Sequence, residues 1–168
     1  TERDPLSAAL ALIALSRQGH SSLQPYIIKA LSRIDLTKTD EVTTLATLRA
    51  YALCFTRMRP EGAITVADTG IPQGVVNGII KKLDPLLPSQ SDNVNAELVR
   101  LLVYLDAPNI INKGLALLAE AKPTVIPDWA ELIKRNPGYG GTIAKMLDNH
   151  PPIAKINYAF MLRNVRYG

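Results

Sequence analysis

The chain of 168 residues holds one cysteine, one tryptophan, two phenylalanines and two histidines. Each shortage closes off some chemistry. With Cys54 alone there is neither an internal disulfide nor a cysteine-built metal cluster, and its neighbours Leu53 and Phe55 predict a buried, unreactive thiol. His20 and His150 fall in separate turns with no carboxylate at metal-ligand spacing, so no metal site is predicted. The longest apolar run, Ala8 to Leu15, is far short of the roughly 20 residues that cross a bilayer, and no basic-then-apolar leader opens the chain. Lys and Arg exceed Asp and Glu by only 19 to 15, a net +4 with pI near 9.3. That excess is too mild to demand a nucleic acid.

Aliphatic side chains are plentiful. With 47% hydrophobic residues and 5% aromatic ones, the core must be filled by Leu, Ile, Val and Ala, a mixture that favours helices over strands. Pro and Gly punctuate the chain into short helices that come in pairs. Asp4-Pro5 opens a first helix running to Arg17, which Gly19 ends in a left-handed cap; Leu23, Ile27, Ala30, Leu31 and Ile34 then give a second helix its apolar stripe. Thr37, Thr39 or Asp40 caps a third helix with Val42, Leu45, Leu48, Ala52 and Phe55 at helical period. Residues 60–71 read as a long loop, and a weaker helix from Pro72 to Leu87 is interrupted at Asp84-Pro85. Ser91 or Asp92 caps the clearest helix, striped by Val94, Leu98, Leu101, Leu102 and Leu105; beyond the break at Asp106-Ala107-Pro108, a partner helix carries Ile111, Leu115 and Leu118. Shorter helices follow at Pro127–Lys134 and Tyr139–Leu147, and Pro151-Pro152 starts a last one with Ile153, Ile156, Phe160 and Leu162.

The predicted fold is therefore all-α. Residues 1–168 form a single helical-repeat domain, a right-handed α-solenoid of antiparallel helix pairs of HEAT or armadillo type, with about eight or nine helices. The first helix is apolar nearly all round, whereas the ends of a solenoid need a polar outer face. It is expected to pack on something further, whether other sequence, a neighbouring domain or a second copy in a homo-oligomer. Thr1 is no initiator Met, so the chain reads as a section of a longer protein.

Three segments carry a family resemblance: Leu83-Asp84-Pro85-Leu86-Leu87-Pro88, the run Asn95 to Leu105, and Ile156 to Arg163. Across residues 40–168 the chain resembles a helical-repeat segment of large multidomain proteins of planctomycete-like bacteria, HEAT-repeat proteins that carry a c-type cytochrome module. The resemblance implies a repeat domain beside a redox module, in a periplasmic or exported location. Haem attachment in such relatives uses Cys-x-x-Cys-His, which is absent here because Cys54 is alone and followed by Phe55. No cofactor is expected on this chain itself.

No catalytic constellation emerges. Asn136 to Gly141 matches neither phosphate-cradling glycine motif and reads as a helix-to-helix turn. Asp128-Trp129 suggests the carboxylate and aromatic of a helical-repeat DNA glycosylase, yet a first-turn carboxylate above a packed Trp accounts for the pair equally well. The candidate binding surface is a basic ridge on the second helices of successive units: Lys29, Arg33, Asn77, Lys81, Lys82, Asn112 and Lys113. The leading expectation is a non-catalytic scaffold or protein-interaction module whose partner is a protein or a neighbouring domain. A structural connector for a haem module and a nucleic-acid-binding repeat domain are the alternatives.

Overall fold

The computed structural model describes residues 3–121, 135 and 153–165. Among these the fold is all-helical, with seven α-helices rather than the expected eight or nine. They are α1 (Pro5–Gln18), α2 (Gln24–Ser32), α3 (Glu41–Arg57), α4 (Gln73–Leu83), α5 (Asp92–Tyr104), α6 (Ile110–Glu120) and α7 (Ile153–Leu162). The expected helices at 127–134 and 139–147 lie outside the described residues. Short 3₁₀ turns at Ser21–Leu23, Leu36–Lys38, Ala67–Thr69 and Asp84–Leu86 lead into or out of the longer helices.

Local chemistry sets the starts. Asp4, Asp40 and Ser91 each stand in extended backbone and accept a hydrogen bond from the N–H three residues on, at Ser7 (2.8 Å), Thr43 (2.9 Å) and Val94 (3.3 Å). These caps satisfy donors that the first helical turn leaves unpaired. The end of α1 departs from expectation: Gly19 has φ −77° and ψ 159°, extended rather than left-handed. A glycine stands there because a Cβ would lie 2.5 Å from the Leu15 carbonyl oxygen.

The odd helices touch in sequence, α1 on α3, α3 on α5 and α5 on α7, while α2 packs on α1 and α3, and α6 on α5 and α7. Polar ties fix the directions. The Glu41 carboxylate at the start of α3 accepts from Ser91 (2.7 Å) and Asn93 (3.4 Å) at the start of α5; at the starts of α1 and α3, which pack on each other, the like charges of Asp4 and Asp40 are near enough to repel weakly. Thus α1, α3 and α5 begin side by side. The buried Gln24 amide donates to the Cys54 carbonyl (3.1 Å), which sets the start of α2 beside the end of α3.

One core runs through these layers. Ile27, Leu31, Leu48, Phe55, Leu98 and Leu102 are all at most 1% exposed, worth roughly 1.5–3 kcal/mol each on burial. Two expected stripes are displaced in part, with Leu118 and Leu162 packed against the core as expected. In α6 the buried positions are Ile110 and Gly114, with Leu115 exposed, because bare Gly114 lets α7 come so close that a Cβ would meet Leu162 at 2.7 Å. In α7 Tyr158 and Met161 face the core while Ile153, Ile156 and Phe160 are exposed, and Val42 at the start of α3 is likewise exposed.

Candidate functional site

Between α2 and α4, with α3 as its floor, lies a cleft of about 800 Å³. Its walls are apolar: Pro25 and Ile28 on one side, Ile71, Pro72, Val75 and Ile79 on the other. The sequence of α4 leaves the space open. Val76, Ile79 and Leu83 turn that helix onto the core, whereas Gly74 and Gly78 leave part of its surface without side chains, and a Cβ at either would meet nothing within 4 Å. Gly78 is part of the cleft wall. At the far rim Gly70 adopts φ +72°, the left-handed conformation that lets the chain leave the Ala67–Thr69 turn and enter α4.

The floor carries an unusual group. Tyr51 is fully buried in α3, lines the cleft, and its hydroxyl has no hydrogen-bond partner. Burial pushes its ionisation well above that of an ordinary tyrosine, with the nearby Cys54 adding to the effect. The phenol therefore stays neutral and offers a proton at any ordinary pH. Its ring stacks on Phe55 at a centroid distance of 6.5 Å, and Phe55 in turn meets Tyr104 of α5 at 5.5 Å. That packing holds the hydroxyl in place. Cys54 is buried too, its thiol pushed up to about 12 by desolvation alone.

The predicted ridge residues divide into several groups. Lys29 is exposed on α2 and, with Lys82, lines the cleft. Lys82 reaches past the cleft to the end of α2, where its ammonium donates to the Leu31 and Ser32 carbonyls, both at 3.0 Å, and to that of Ile34. An ammonium has three protons, so all are used, and the charge sits where the α2 dipole is negative. Burial pulls this lysine below its usual range while Asp35 opposes the shift. Arg33 stands beside it in a smaller recess at the same helix end. Lys113, at the start of α6, is engaged in the same manner with the end of α4, donating to the Asp84 carbonyl (2.6 Å) and carboxylate (2.8 Å). Asn77 accepts from Gln73 (3.0 Å), while Lys81 and Asn112 are exposed on other faces.

No other predicted chemistry converges. His20 caps the Ser21–Leu23 turn through Nδ1, which accepts from the Ser22 N–H. His150, Asp128, Trp129 and residues 136–141 lie outside the described set, which includes of that region only Arg135. Among the described residues no group of His, Cys, Asp and Glu could hold a metal ion, and no helix is long and apolar enough to cross a membrane. Sequence reasoning missed Tyr51 although it falls three residues after Leu48 and four before Phe55, on the core stripe of α3. That spacing marks it as buried; only the fold reveals that its hydroxyl is unpaired. Compared with protein-family models, curated proteins and solved structures, the chain finds no match.

Proposed function

We propose that this chain is a non-catalytic helical-repeat module, a right-handed α-solenoid of HEAT or armadillo type, that serves as a scaffold for protein contacts within a larger protein. The observation that carries the reading is the alignment of alternate helices. α1, α3 and α5 start side by side, tied by Glu41 to Ser91 and Asn93, as expected when one helix-pair unit is laid against the next. The polar ties between even helices support it: Lys82 closes the end of α2 and Lys113 the end of α4, although the first reaches from the last turn of its helix and the second from the first turn.

Apolar side chains remain outside this stack. Leu10 and Leu15 on α1 are 52% and 39% exposed, and Phe160 on α7 is 57% exposed. In the proposed function these faces meet the neighbouring protein. The nucleic-acid alternative loses ground, because two of the ridge lysines are committed to helix ends and cannot also pair with phosphates at full strength. Hydroxyl-radical footprinting of the larger native protein, set against the chain alone, tests the proposal. Oxidation at Leu10, Leu15 and Phe160 is expected to fall severalfold in the larger protein; equal oxidation in both would overturn it.

A further inference from the structure

We propose that the cleft between α2 and α4 is a binding site for a small organic anion with an apolar body, of the kind represented by a medium-chain carboxylate. The inference is independent of the scaffold reading, since it concerns a face that does not include Leu10, Leu15 or Phe160.

Three observations converge on this ligand. First, the volume of about 800 Å³ falls in the range of small-molecule sites, and the walls of Pro25, Ile28, Val75 and Ile79 suit an aliphatic body. Second, the Tyr51 hydroxyl is buried without a partner on the floor. An unpaired buried hydroxyl costs free energy, and a ligand oxygen that accepts its proton removes that cost on binding. Third, the lining contains Lys29 and Lys82 but neither Asp nor Glu, so its charge favours an anion and opposes a cation. Lys82 contributes charge alone, its protons being held by three carbonyls, whereas exposed Lys29 is the cation able to swing to a carboxylate. The open flank of Gly78 supplies the entry.

Calorimetric titration of the full chain with octanoate, octanol and octylamine tests this. Octanoate is expected to bind saturably, octanol more weakly, and octylamine not at all. Tyr51→Phe, which removes only an unpaired hydroxyl, is expected to keep the fold and weaken octanoate about tenfold. Lys29→Gln should erase the preference for octanoate over octanol, and Gly78→Leu, whose side chain projects into the cleft, should abolish binding of both. Absence of saturable octanoate binding, equal binding of octylamine, or a Tyr51→Phe variant that binds octanoate as tightly as the parent would each overturn the proposal.

Discussion

Tyr51 is held by its ring and left unsupported at its hydroxyl. The ring stacks on Phe55 within a core where both residues are at most 1% exposed. Removing that oxygen should therefore help the fold: Tyr51→Phe is expected to raise the unfolding free energy by about 1 kcal/mol, measured by urea titration. A loss of stability would mean that the hydroxyl is paired after all. Three residues along, Cys54 is buried with its thiol pushed up to about 12, so the thiolate that reacts with disulfide reagents is scarce at neutral pH. Ellman's reagent at pH 8 is expected to leave the native protein unlabelled and to label it at once in denaturant.

Two glycines show what an element gains or loses from a bare position. Gly74 in α4 faces open space, so Gly74→Ala is expected to stabilise the protein by about 0.4–1 kcal/mol through a stiffer unfolded chain and better helix propensity. Gly114 in α6 lies where a Cβ would sit 2.7 Å from Leu162, and Gly114→Ala is expected to destabilise by about 1–3 kcal/mol as α6 and α7 are forced apart. Thermal unfolding of the pair reads both signs. The same contrast explains which elements could be read from the sequence. Caps at Asp4, Asp40 and Ser91 were legible because cap and donor are three residues apart, and the α5 stripe was legible because Leu98 and Leu102 have one apolar face to choose from. In α7 two apolar stripes compete. Only the packing of α7 on both α5 and α6 decides that Tyr158 and Met161 turn inward and Ile156 and Phe160 outward. The role of Lys82 was hidden for a related reason, since its acceptors lie some fifty residues earlier in the chain. The cleft was equally hidden, being a space left by Gly78 rather than a motif.

Across the whole molecule, electrostatics and cooperativity follow from how the helices are laid together. Asp4, Asp35 and Asp40 are each held below the ordinary value of 3.8, chiefly by hydrogen bonds from Ser7, Thr37 and Thr43. A carboxyl whose folded value is depressed stabilises the fold above its unfolded value and loses that contribution as pH falls through the folded one. The melting temperature is accordingly expected to hold steady down to about pH 5 and to fall below about pH 4, with Asp40→Asn, which keeps a capping side chain, softening the acid limb. The arrangement of units has a larger consequence. If α1 to α3 form one end of a stack whose members touch only their neighbours, damage there should stay local. Leu31, fully buried in α2, is the place to apply it, since Leu31→Ala should cost about 2–5 kcal/mol at that site. Native-state hydrogen exchange of this variant is the most direct measurement: α1, α2 and the adjoining part of α3 are expected to lose protection while α5 and α6 retain theirs, and an equal loss in all of them would contradict the repeat architecture.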